Sequence, residues 1–120
     1  MRNFVISLSS ATLRRAHISS EFAKEKVDFE FFDAITPETM AQAVEDLGVD
    51  ISKTELRKCE IACLLSHAVL WKKAVDENLP YIAIFEDDIY LSDKYQKNFG
   101  GKKNLYKFIT LIAPYRNSYQ

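Results

Sequence analysis

With 120 residues, 48 % of them hydrophobic and 28 % charged, the chain has the size and composition of one globular domain with a modest core, and is short for a complete two-substrate enzyme. A formal net charge of −1 argues against general affinity for nucleic acid. No stretch approaches the ~20 apolar residues of a membrane span, and the apolar patch at residues 4–8 is shorter than the roughly 7–15 residues of a signal-peptide core. The expected location is therefore the cytoplasm.

In chain order, residues 3–8 read as a buried strand, and Ser10 or Thr12 is placed to cap a helix running to about residue 26. A strand that feeds a capped helix is the opening half of a βαβ unit. Residues 29–35 read as a second strand. Thr36-Pro37-Glu38 then predicts the start of a short helix with proline in its first turn, ended by Gly48. Ser52-Lys53-Thr54-Glu55 has the spacing of a capping box, which predicts a helical start there. Across 60–77 the apolar residues Ile61, Leu64, Leu65, Ala68, Trp71 and Val75 recur at steps of three and four, the period of one buried helix face. Cys59 and Cys63 fall in this helix, with no second pair to complete a zinc site, and read as reduced packing residues. His17 reads as a surface residue. Helix-containing connections between strands predict an α/β fold with a mainly parallel sheet flanked by helices.

Residues 81–91 carry the strongest chemical signal, an apolar run that ends in three consecutive acids, Glu86, Asp87 and Asp88. An uncharged run of this kind is the pattern of a parallel strand covered on both faces. Three carboxylates at its end repel one another, so they either splay into solvent or gather around a divalent cation. Open α/β sheets bind ligands beyond the carboxyl ends of their strands, where these acids belong. Mg²⁺ or Mn²⁺ suits such oxygen ligands and commonly arrives with a phosphate.

Several segments then converge in one order: Phe4-Val5-Ile6-Ser7-Leu8 with Arg14-Arg15, Phe32-Asp33-Ala34-Ile35, the helix carrying Ser66-His67 and Trp71, and Ala83-Ile84-Phe85-Glu86-Asp87-Asp88. Together they resemble glycosyltransferase family 25, whose bacterial members are lipooligosaccharide galactosyltransferases, over residues 1–92. The resemblance implies a GT-A-like fold, a UDP-sugar donor (commonly UDP-galactose), Mn²⁺ or Mg²⁺, a saccharide or lipid-linked saccharide acceptor, and inversion at the anomeric carbon. It implies Asp87 and Asp88 as metal ligands with Glu86 supporting them, and Ser7, Ser9, Arg14, Asp33, His67 and Asp87 around the donor. The residues alone leave simpler readings open, in which Arg14 is solvated, Asp33 is a turn acid and His67 is packed in the helix.

Residues 93–120 form a different segment, with Lys94, Lys97, Lys102, Lys103, Lys107 and Arg116 and no acid after Asp93. Within it, 105–112 reads as one more strand. Its charge suits peripheral contact with an anionic membrane face. Because the resemblance fades at this point, the expectation is a donor-binding half of a transferase, with the catalytic base not identifiable. The alternative is a noncatalytic remnant that binds a nucleotide sugar or acts as an interaction fragment. A haloacid-dehalogenase phosphatase is excluded by Glu86 in the nucleophile position and Tyr90 where threonine is required, and a phosphorelay receiver by the absence of acids after the first strand.

Overall fold

A computed structural model describes residues 2–91 and the short strand 110–112. The elements are β1 (Arg2–Ser7), α1 (Thr12–Lys24), β2 (Glu30–Asp33), α2 (Met40–Leu47), α3 (Lys58–Asp76), β3 (Ile82–Glu86) and β4 (Thr110–Ile112). The sheet order is β2-β1-β3-β4. β1 pairs in parallel with both β2 and β3, with Ser7 opposite Asp33 and Ile6 opposite Glu86, while β4 runs antiparallel to β3. The predicted parallel α/β core is therefore present, with one antiparallel strand added. The basic residues of 94–107 and Arg116 lie outside the described residues, as does most of the predicted strand 105–112.

Strand alternation distributes the core. Val5, Ala83 and Phe85 point to the face covered by α1, where they pack with Ile18, Phe22, Ile89 and Leu91. Phe4, Ile82 and Ile84 point to the other face, against Leu70 and Ala74 of α3. Both faces of β3 are thus covered, which explains its uninterrupted apolar sequence. A third cluster joins Ala43 of α2 to Ile61 and Leu65 of α3. Among the described residues, no helix is long and apolar enough to cross a membrane.

α1 starts where the sequence reading places it but with a different cap, and the starts of α2 and α3 differ from that reading. α1 begins at Thr12 with Ala11 in the cap position and no side-chain cap, so neither Ser10 nor Thr12 acts as one. α2 begins at Met40 rather than near Pro37, because Thr36 to Thr39 closes a turn in which the Thr39 hydroxyl accepts the Thr36 amide at 2.9 Å. Gly48 does end α2, in the left-handed conformation at φ 66° that glycine adopts without a Cβ clash. Ser52 to Glu55 forms no capping box. Asp50 accepts the Ser52 amide at 2.8 Å and the Thr54 hydroxyl accepts that of Leu56 at 3.2 Å, local bonds that compete with helix formation. α3 starts only after Arg57.

The buried face of α3 agrees with the sequence reading at Ile61 and Leu65 and differs elsewhere. Ile61, Ala62, Leu65, Ser66, Leu70 and Ala74 are buried, whereas Leu64, Trp71 and Val75 are 50 %, 36 % and 55 % exposed. The helix carries two apolar stripes, and the one containing Leu65 and Leu70 meets the sheet and α2. Cys59 and Cys63 are exposed rather than packed. His17 is not a free surface residue either: its Nε2–H donates to the Ile89 carbonyl at 2.7 Å and its ring meets Tyr90 edge-on at 4.7 Å.

Candidate functional site at the carboxyl ends of the strands

The chain leaves β1 toward α1 and β2 on one side, while β3 pairs on the other side of β1, so the gap between the ends of β1 and β3 is a topological switch point. Adjacent parallel strands whose connections diverge leave a crevice there, with backbone and strand-end side chains facing it. A cleft of about 470 Å³ occupies this place, and it is bordered by Ser7, Arg14, His67, Glu86, Asp87 and Asp88 among others. Ser9 and Asp33 do not border it. Ser9 is exposed on the turn after β1, and Asp33, its side chain 73 % exposed, accepts Arg15 Nη2 at 2.6 Å.

The side-chain alternation that covers both faces of β3 also separates the acids at its end. Glu86 follows Ile84 on the α3 side, near Cys63, while Asp87 follows Phe85 on the α1 side. Asp87 is buried, with Oδ2 accepting the Ser7 hydroxyl at 2.7 Å and Oδ1 accepting Arg14 Nη1 at 3.1 Å. These bonds offset the cost of burying its charge. Asp88 is exposed and makes no hydrogen bond or ion pair among the described residues. α1 holds the acidic turn in place through the His17 bond and through Glu21, whose buried carboxylate accepts the Leu91 amide at 3.1 Å.

Two further groups shape the cleft. Arg15 donates to the carbonyls of Leu8 and Ser7 at 3.1 and 2.9 Å, and its guanidinium lies 4.7 Å from the Phe31 ring centre, so it ties the end of β1 to β2. Ser66, buried in α3, accepts the Ile35 amide at 2.9 Å and donates to the Ala62 carbonyl at 3.0 Å, which fixes the loop after β2 against the cleft. On the α3 wall Cys59, Cys63 and His67 succeed one another at four-residue spacing, so they share one helix face. His67 Nδ1–H donates to the Cys63 carbonyl at 3.0 Å, which leaves Nε2 as the ring's acceptor. Cys63 is exposed as a residue, but partial desolvation of its thiol against the cleft wall pushes it up from its ordinary pKa, and the charge of Glu86 adds to the shift.

Among the described residues, no three of histidine, cysteine, aspartate and glutamate come together as a metal cage. The donors present are Asp87 and Asp88. Two carboxylates do fit a Mg²⁺- or Mn²⁺-type ion, which keeps several waters and takes remaining ligands from substrate phosphate. The opposite polarity lies beside the carboxylates, in Arg14, bonded to Asp87, and in the start of α1, which borders the cleft at Ala11 and has no side-chain cap.

The sequence profile of glycosyltransferase family 25, described as LPS biosynthesis protein, matches residues 1–120. The chain belongs to glycosyltransferase family 25. The match runs past the change of composition at Asp93, where the resemblance read from the sequence stops. A family relative, the lacto-N-neotetraose biosynthesis glycosyltransferase LgtB of Neisseria meningitidis, is 50 % identical over 99 residues, which cover 81 % of this chain and 36 % of the relative. LgtE of Neisseria gonorrhoeae is 50 % identical over 95 residues, 78 % of this chain and 34 % of the relative. The lipooligosaccharide biosynthesis protein lic2B of Haemophilus influenzae is 44 % identical over 96 residues, 79 % of this chain and 36 % of its own length. The chain thus spans little more than a third of these family 25 proteins.

Proposed function

We propose that this chain is the donor-binding part of a family 25 transferase that moves a sugar, galactose by the resemblance, from UDP to a lipooligosaccharide acceptor. The observation that carries this reading is the juxtaposition in one cleft of Asp87 and Asp88 with Arg14 and the N-terminus of α1. A metal-bound diphosphate needs both: carboxylates for the cation, and a guanidinium with helix amides for phosphate oxygens. The cleft lies at the switch point of a parallel sheet, the usual nucleotide position of such folds and the one expected of a GT-A-like domain.

Asp87 and Asp88 would hold Mn²⁺ or Mg²⁺, with Glu86 supporting them from the α3 side. Bound there, the ion would supply Lewis-acid stabilisation of charge collecting on the diphosphate. Arg14 would meet a phosphate oxygen, Ser7 would keep Asp87 oriented, and His67 Nε2 would accept a hydroxyl of the donor. Relatives with lipooligosaccharide names support a saccharide acceptor carried on lipid, which would bring the protein to the cytoplasmic face of a membrane.

Calorimetric titration of the chain with UDP, with and without Mn²⁺, tests the reading. Binding that depends on Mn²⁺ is expected. Absence of UDP binding under both conditions would leave the interaction-fragment alternative in its place.

A further inference from the structure

Asp87 has two partners of different kinds. Ser7 is neutral and 2 % exposed, fixed at the end of β1, and it occupies Oδ2. Arg14 is charged, its side chain is 63 % exposed on the first turn of α1, and it reaches Oδ1 by a single bond at 3.1 Å. A cation ligated by Asp87 therefore meets Oδ1 already occupied by another positive group. Ion pairs with one partner this exposed are weak and exchangeable. Arg14 has no other hydrogen-bond partner among the described residues, so eviction by a bare cation would leave its guanidinium to water alone. A diphosphate arriving with the cation changes that, because it offers anionic oxygens in the geometry a guanidinium binds best.

We propose that Arg14 is an exchangeable counter-ion that makes cation and diphosphate binding mutually dependent: it holds Asp87 in the empty cleft and transfers to the diphosphate when cation and nucleotide bind. Arg14 thus acts on Asp87 in the empty cleft and on the diphosphate in the filled one. The inference rests on the donor-site reading above and adds an order to it, with cation alone binding weakly and nucleotide relieving the conflict. By linkage, UDP must raise Mn²⁺ affinity by the same factor that Mn²⁺ raises UDP affinity.

The test measures free Mn²⁺ by its electron paramagnetic resonance signal in titrations of the chain, without and with UDP, correcting for the Mn²⁺–UDP complex in solution. In the unaltered chain UDP should tighten Mn²⁺ binding on the order of tenfold or more. In Arg14→Met, Mn²⁺ alone should bind more tightly than in the unaltered chain, and the enhancement by UDP should fall several-fold, to the part that direct bonds between the ion and the phosphates supply. Arg14→Lys, which keeps a charge but loses the fork, should fall between the two. A structural role for Arg14 would not increase affinity for the bare ion on its removal. If Arg14→Met weakens Mn²⁺ binding, or leaves the UDP enhancement intact, the counter-ion role is wrong while the donor site stands. If the unaltered chain takes up neither Mn²⁺ nor UDP, the donor-site reading fails and this inference with it.

Discussion

Where β1 begins, Arg2 lies between Glu30 and Glu77 at 2.6 and 2.8 Å, Lys73 reaches the second oxygen of Glu77 at 2.6 Å, and Lys72 pairs with Asp76 at 2.6 Å. Where β1 finishes, Glu86, Asp87 and Asp88 share a cleft with Arg14, and among the described residues Asp88 has no partner. Both ends are concave, and the first is the larger, about 740 Å³ against about 470 Å³. Size therefore does not identify the site. The first end answers each of these acids with a base inside the chain, so a ligand of either charge would have to break an existing pair. Among the described residues the second leaves carboxylates in excess of cations beside an uncapped helix, an imbalance that a bound cation and anion together would complete.

The largest expected difference follows from removing charge at each end. Asp87→Asn keeps the side-chain shape and an oxygen for Ser7 but loses the anion, and should weaken Mn²⁺-dependent UDP binding by on the order of 100-fold. Glu77→Gln at the opposite end should leave that binding unchanged by calorimetry. An equal effect of the two would erase the distinction between the ends.

Next in size is the support beneath the cleft. Ser66→Ala removes the acceptor of the Ile35 amide, and the unpaired group should cost about 1–3 kcal/mol in urea unfolding. Because Ala34 and Ile35 border the cleft, UDP binding should weaken in parallel.

Smaller effects separate the ends by pH and reactivity. Lys73 and Arg2 hold the Glu77 carboxyl below its ordinary pKa of 4.5. Its contribution to stability is complete above that value and is lost as pH falls through the lowered one. Glu77→Gln should accordingly flatten the acid limb of the stability profile below about pH 4.5, measured by urea denaturation at several pH values. At the cleft, Glu86→Gln removes the charge that adds to desolvation in raising the Cys63 thiol, so alkylation of Cys63 by iodoacetamide at neutral pH should quicken. An unchanged rate would mean that Glu86 does not face the α3 wall.

Much of the fold was legible where one physical constraint dominated. β3 announces itself because both of its faces are covered, and Gly48 because a left-handed helix end needs a residue without Cβ. Helix caps, and with them the starts of α2 and α3, were not, because Ser10, Thr12, Ser52 and Thr54 all have the chemistry of caps and only the surrounding turn decides which backbone amide each can reach. The buried face of α3 was ambiguous for a related reason. Leu64, Trp71 and Val75 recur at multiples of the helical step just as Ile61 with Leu65 and Leu70 with Ala74 do, so periodicity identifies the helix without giving its rotation.

At the site, the acids, Ser7, Arg14 and His67 could be nominated from type and order. Arg15 and Ser66 could not be assigned. Nothing in Arg14-Arg15 tells which cation turns to the carboxylate and which to the backbone, and Ser66 stands in an apolar helix where its partner, the Ile35 amide, is distant in sequence. The exposure of Cys59 and Cys63 was hidden by the same uncertainty in helix rotation.

The measurement that bears most directly on the account is amide chemical-shift mapping by NMR, with UDP added in the presence of Mg²⁺. Shifts are expected at the end of β1, the start of α1, residues 86–88 and the facing walls at 34–35 and 63–67, with Arg2, Glu30 and residues 72–77 unmoved. Shifts centred on that second group, or none anywhere, would contradict it.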